Sequence, residues 1–203
     1  LNIGGISNIS ILPAHGPVIG FDCGPGNALM DHWCQQHTGH PYDAQGQWAA
    51  SGSVHPGLLA DFLQEPFLQK LPPKSTGRDL FNVHWLDAKL QAYPGIPPAD
   101  VQATLTEFTA RACADSATLH GQGGTRLAVC GGGALNTHLM QRLQALLGPV
   151  LVQPSDALGL PVMQVEASAF AWLARQTLQG LTGSLPNVTG AQGARVLGAI
   201  YPA

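Results

Sequence analysis

The residue whose placement most invites a chemical reading is Asp22, in the stretch VIGFDCGPGNALMDHW (residues 18–33). An apolar run, Val18 to Phe21, ends in this single carboxylate, and Gly24-Pro25-Gly26 follows before a helical pattern begins. Open α/β sheets place their sites at the carboxyl ends of strands. A carboxylate there can act as a general base when a substrate proton comes within hydrogen-bond reach, and the Gly-Pro-Gly turn keeps bulky side chains away from it. The alternative is that Asp22 caps the following helix. Caps lie immediately before the first helical residue, and Asn27 is better placed for that, which leaves Asp22 free.

Two glycine clusters extend the pattern. Gly4-Gly5, in LNIGGISN, lies between two apolar segments. Glycine lets backbone N–H groups approach a bound anion, so such turns make phosphate cradles; a plain β-hairpin reads the same way. Gly131-Gly132-Gly133 follow the apolar run LAVC and precede a helix. A helix N-terminus offers free N–H groups to phosphate or other polar ligand groups, while a glycine-rich corner chosen for tight packing is the competing reading.

Cys34, His37 and His40 form a C-x-x-H-x-x-H pattern, with Cys23 and His32 nearby. Structural zinc sites show paired spacings from two elements, and no second pair is present, so the pattern reads as solvated helix residues and a metal role as the rival. Lys74, Ser75, Thr76 and Arg78 could contact a phosphate or sugar, or form an ordinary polar loop.

The elements that must position these residues follow an α/β order. Residues 1–12 read as strand, turn, strand, and 18–21 as a third strand. Residues 27–38 read as a helix closed by Gly39. GHPYDAQGQWAASG reads as a long loop or short helical turns, residues 55–64 and 83–92 as short helices, and LPPKSTGRDLFN between them as loop. Residues 98–120 predict a long amphipathic helix with Val101, Leu105, Phe108 and Ala112 on one face. Strands at RLAVC and VLVQP flank a helix striped by Leu135, Leu139, Leu143 and Leu146. A helix over 163–179 and a loop at GSLPNVTGA complete the chain.

The 203 residues are 45% hydrophobic, enough for one sizeable core. Only 10% are charged, against roughly 25% in a typical soluble domain. A chain this poor in charge has little surface to solvate, or much of its surface is covered by something else, a further domain or a second copy in a homodimer. The net charge of −3 gives no electrostatic case for nucleic acid or an anionic membrane. Four cysteines without C-x-x-C pairing fit a reduced, cytoplasmic setting. No apolar run is long enough to span a bilayer and no basic leader precedes one. Asn187-Val188-Thr189 fits a glycosylation sequon, read here as chance. The opening LNIGGISNISIL enters a strand without a methionine, as the middle of a longer protein would.

Taken in order, LNIGGISNISIL, GFDCGPGNALMD, GHPYDAQGQWAASG, PKSTGRDLFN, DVQATLTEFTA, VCGGGALN, VEASAFAWLA and LPNVTGA resemble successive signatures of the anhydro-N-acetylmuramic acid kinases, over nearly the whole chain. One departure is Cys23, where the family commonly has threonine. The resemblance implies the sugar kinase/Hsp70/actin superfamily, a ribonuclease-H-like α/β core with a mixed sheet flanked by helices, and ATP bound in a cleft between two domains. Residues 1–203 would be the C-terminal domain, its N-terminal partner carrying the other phosphate loop and part of the sugar site. The implied reaction phosphorylates the 6-oxygen of 1,6-anhydro-N-acetylmuramic acid with ATP while water opens the anhydro bridge, a step in peptidoglycan recycling. Asp22 would take the proton from water, Gly4 and Gly5 would approach the ATP phosphates, Gly131 to Gly133 would border the adenosine, and Mg²⁺ would bridge the phosphates with no protein ligand identifiable. The chain alone would be inactive. Another sugar or acyl kinase of the superfamily, or a non-catalytic nucleotide-binding domain, remains the alternative.

Overall fold

A computed structural model describes residues 1–201. Three strands come first: β1 (Asn2–Ile3), β2 (Ile6–Ile11) and β3 (Ile19–Pro25), an antiparallel meander. Alternation in β2 sends Ser7, Ile9 and Ile11 inward, as a strand with one buried face requires. Helices follow at α1 (Ala28–Thr38), α2 (Gln47–Ser51), α3 (Pro56–Leu63), α4 (Val83–Leu90) and α5 (Pro98–His120). Then come β4 (Arg126–Val129), α6 (Thr137–Leu147), β5 (Leu151–Pro154), α7 (Val165–Leu178) and α8 (Pro186–Thr189).

β4 and β5 pair in parallel. β1 meets β4 through a parallel bridge between Asn2 and Cys130, where Ile3 N–H donates to Cys130 O at 2.9 Å and Cys130 N–H to Leu1 O at 2.8 Å. The strands therefore run β3-β2-β1-β4-β5, with β2 antiparallel to the other four. This is the mixed, ribonuclease-H-like sheet with flanking helices expected from the sequence.

The long helix departs from expectation. Instead of one apolar stripe, α5 is buried all round from Val101 to Ala110, polar residues included. Alanines and threonines keep its surface low enough for α1, α2, α3, α6 and the sheet to close on it. The threonines satisfy themselves: Thr104 and Thr106 hydroxyls donate to the carbonyls of Asp100 and Gln102, 2.6 and 3.0 Å away. Phe62, Phe81, Trp85 and Phe108 form an aromatic cluster on this helix, with Trp85 stacked on Phe108 at 5.8 Å. Phe67 joins it edge-on to Phe81, so both ends of the polar loop between them are anchored in the core.

Two smaller expectations are corrected. α6 starts at Thr137, leaving Leu135 exposed in a short 3₁₀ turn, and its buried stripe is Leu139, Leu143 and Leu147 rather than Leu146. The tail carries a short helix, α8, where a loop was expected, because Pro186 can occupy the first helical turn. The Gly-rich segment after α1 is ordered by Asp43, whose two carboxylate oxygens accept from Trp48 and Ala49 N–H at 2.9 and 2.8 Å and start α2.

Glu107, 3% exposed, joins α5 to α6. It accepts from Arg142 at 2.7 Å and from Arg111 at 2.8 Å. Burial would raise its pKa, but the two guanidinium partners prevail and hold it below the usual glutamate value. The stabilisation is thus present at neutral pH and lost as pH falls through that depressed pKa. Glu107→Gln should destabilise the fold by about 1.5–3 kcal/mol, as loss of charged hydrogen bonds does. In urea denaturation that deficit should be clear at pH 7 and shrink toward pH 3.

Candidate active site

The two glycine clusters meet at one end of the sheet, and β3, which carries Asp22, leads into that end. The Gly4-Gly5 turn between β1 and β2 is clasped by the turn after β3: Asn27 N–H donates to Gly4 O at 2.7 Å, and the N–H groups of Gly26 and Ala28 donate to Gly5 O at 3.0 and 3.2 Å. Gly26 must be glycine, because a Cβ there would run into the Gly4 carbonyl. Asn27 opens α1 but does not cap it with its side chain, contrary to expectation; its amide donates instead to Ile3 O at 3.3 Å. That bond draws the Asn27 side chain across to the second glycine cluster, where a Cβ on Gly132 would lie 3.2 Å from its nitrogen.

The three consecutive glycines divide their roles. Gly131 has φ +79° and its Cβ would meet Asn2 and Ile3 at 2.5 and 2.7 Å; one on Gly133 would collide with the Ile3 side chain. Both are packing glycines, serving the β1–β4 junction. Gly132 has no such neighbour besides the movable Asn27 amide, so it is the one whose missing side chain leaves surface open.

Asp22 lies within β3 rather than at its end. The strand continues to Pro25 because Ser7 pairs with Gly24 across a bulge and its hydroxyl donates to the Gly24 and Pro25 carbonyls at 3.1 and 3.0 Å. Asp22 itself pairs with Asn8, and its side chain is half-buried. One oxygen, Oδ2, accepts from Thr76 N–H at 2.8 Å, and Asp22 N–H donates to Lys74 O at 3.1 Å. Oδ1 has no hydrogen-bond partner among the described residues, which leaves it available to a proton. Burial raises the Asp22 pKa, opposed by the Thr76 hydrogen bond and the Lys74 charge, so it gains basicity.

The polar loop left open by the sequence is therefore part of the site. Lys74 is fixed by the carbonyls of Leu68 and Phe67 at 2.9 and 3.3 Å, and Arg78 lies over Gly5. Asp31, one turn into α1, is a site neighbour that sequence reasoning missed. Burial pushes its pKa up to about 6, Asp43 adds to the rise, and Arg78 opposes it. Its spacing from Asp22 was visible, but the loop that brings Arg78 near it was not.

The C-x-x-H-x-x-H pattern does not converge. Cys34 is buried, not solvated, with Thr38 against its sulfur, and His37 packs on Trp33 with ring centroids 3.9 Å apart. Among the described residues no group of three or more His, Cys, Asp or Glu could hold a metal ion. A cavity of about 250 Å³ lies between Cys23, Lys74 and the C-terminal turns of α5; Asp22 and the two glycine clusters do not line it, whereas Lys74 does.

A ribonuclease-H-like sheet that gathers two glycine turns and a half-buried carboxylate at one edge defines an actin-like, kinase-type domain. The family model for anhydro-N-acetylmuramic acid kinase matches residues 1–203, and the chain belongs to that family. It is 62% identical to the anhydro-N-acetylmuramic acid kinase of Variovorax paradoxus over 208 residues, covering all of this chain and 56% of that protein. The proteins of the same name from Albidiferax ferrireducens and Pseudomonas putida are 56% and 53% identical, with all of this chain and 57% and 56% of theirs covered. The chain thus spans little more than half the length of these relatives, and matches their C-terminal part.

Because the folded pKa of Asp31 lies above its ordinary 3.8, ionising it costs stability: the contribution is favourable below pH 4 and lost as pH rises through about 6. Asp31→Asn should therefore raise Tm at pH 7.5 relative to the parent and give no comparable gain at pH 4, measured by thermal melts at both values. The glycines give a second contrast. Gly133→Val should fail to fold, whereas Gly132→Val should fold with a near-parental melt and lose affinity for ADP by calorimetry.

Proposed function

We propose that residues 1–203 form the C-terminal domain of a two-domain kinase that opens 1,6-anhydro-N-acetylmuramic acid with water and phosphorylates it from ATP. The product is N-acetylmuramic acid 6-phosphate, formed in the cytoplasm during peptidoglycan recycling. The observation that carries this reading is a free carboxylate oxygen on Asp22, in the strand that leads into the clasp with the Gly4-Gly5 turn, within a chain matched end to end by this family.

In the proposed reaction a water oxygen bonds to the anomeric carbon and its proton passes to Asp22 Oδ1. The bond from that carbon to the bridging 6-oxygen breaks, and this oxygen attacks the γ-phosphorus as the bond to ADP breaks. Water, the anhydro sugar and ATP become sugar 6-phosphate, ADP and one proton. Thr76 N–H holds the second oxygen of Asp22 so that Oδ1 faces the site, and burial raises its affinity for the proton. Gly4 and Gly5 serve the phosphates, Gly132 leaves room for the nucleoside, and Gly131 and Gly133 hold that turn against β1. Magnesium belongs to this proposal only as the ion that ATP brings. Mg²⁺ keeps much of its coordination in water and phosphate; among the described residues no group of three or more His, Cys, Asp or Glu could hold it, and no step is assigned to it.

Phosphoryl transfer depends on positioning and electrostatic clamping, and one face of a cleft supplies only part of either. An apolar surface supports the idea of a covering domain: α7 has no buried residue, and Phe170, Trp172 and Leu178 are 64, 48 and 74% exposed. The chain alone should release no ADP in response to the anhydro sugar. Fused behind the preceding segment of the Variovorax relative, it should do so in a coupled assay. Asp22→Asn in the fusion should lower that rate by at least about 10²–10⁴-fold, as loss of a general base does, with ADP affinity retained. Robust sugar-dependent turnover by the chain alone would overturn the two-domain reading, and a near-parental rate in Asp22→Asn would remove the base.

A further inference from the structure

Arg78 is the one cation at this site without a committed partner. The Nε–Nη2 edge of its guanidinium faces Gly5: a Cβ on Gly5 would be 2.8 Å from Nη2, 3.1 Å from Nε and 3.3 Å from Cζ. Ion pairs among the described residues join Glu107 to Arg111 and Arg142, and Arg78 takes part in none of them. Nor does its side chain make a hydrogen bond to any described residue. Lys74, by contrast, is spent on two backbone carbonyls.

The backbone holds Arg78 in this place from both sides. Two residues before it, Thr76 N–H is bound to Asp22; three residues after it, Phe81 is 1% exposed in the aromatic cluster, and its N–H donates to Gly77 O at 3.2 Å. The same short loop thus touches the carboxylate and covers the glycine turn. Gly5 makes this possible, since any side chain there would displace the guanidinium. An arginine with its donors free, laid on a phosphate-type turn beside a base, suits a planar, doubly bonded anion.

We propose that Arg78 is a catalytic residue that clamps the phosphoryl group in transfer above Gly5, a role that rests on the kinase reading of the same site. The guanidinium would donate two hydrogen bonds to equatorial oxygens of that group, charge stabilisation of the kind an arginine supplies in other phosphoryl transfers. Asp31, whose charge acts on Arg78, keeps the cation from being wholly uncompensated before the nucleotide arrives.

The test uses the fusion with the preceding segment of the Variovorax relative. Arg78→Ala should lower kcat by about 10³-fold with KM for ATP and for the anhydro sugar within a few-fold of the parent. ADP should bind as before, while the added affinity of ADP with aluminium fluoride, a mimic of the group in transfer, should be lost. Arg78→Lys should recover little, because an ammonium lacks the fork, and added guanidinium should restore part of the Arg78→Ala rate. Gly5→Ala, which puts a methyl group where the guanidinium lies, should reproduce the loss in a folded protein. An aluminium fluoride complex unchanged in Arg78→Ala, or a raised sugar KM with kcat preserved, would overturn the assignment. If the unmutated fusion does not turn over the anhydro sugar, the proposed function falls, and the aluminium fluoride comparison alone still decides for or against Arg78.

Discussion

The arrangement depends on the backbone clasp between the Gly4-Gly5 turn and the turn after β3. Three N–H groups, from Gly26, Asn27 and Ala28, converge on two carbonyls, those of Gly4 and Gly5. The bonds are possible only because Gly26 carries no side chain. They fix where α1 starts relative to β1, and so where Asp31 and the Asn27 amide lie. β1, held on its other edge by β4, carries the clasp to Gly131–Gly133. Two glycine clusters more than a hundred residues apart thereby share one rigid frame.

In the proposed reaction the chemistry on that frame is divided between a strand and a loop. β3 supplies Asp22 from the sheet, where the backbone is least free to move. The Lys74–Arg78 loop supplies the groups that orient and surround it, and the loop is pinned at both ends by Phe67 and Phe81. A half-buried carboxylate held by a single backbone N–H gains affinity for a proton through its burial, which the N–H and the Lys74 charge oppose. The same desolvation acts more strongly on Asp31, whose ionised form the fold tolerates at a cost to stability. Sites that keep such groups give up some stability for them.

Much of the fold could be read from the residues. The alternation in LNIGGISNISIL and the order of strands and helices pointed to the right kind of sheet, and the helix bounds at 98–120 were those observed. What failed were judgements that need neighbours. A stripe along α5 hid the fact that small residues let it be surrounded. Asn27 had the sequence of a cap but spends its amide on Ile3, because β1 comes within reach only in the folded sheet. The weights of the three glycines could not be separated until Ile3 was seen against two of them. Arg78 and Asp31 are 47 residues apart and owe their proximity to the aromatic cluster that returns the loop to β3.

The central claim is that Asp22 directs one water to the anomeric carbon while the freed 6-oxygen takes the phosphoryl group. Its most direct test follows oxygen. The fusion protein would turn over the anhydro sugar in ¹⁸O-labelled water, and the product would be quenched early and fragmented in a mass spectrometer. The account predicts one labelled oxygen on the anomeric carbon, none between carbon 6 and phosphorus, and none on the phosphoryl group. Label in the phosphoryl group, or a phosphorylated product whose anhydro bridge is still closed, would contradict it.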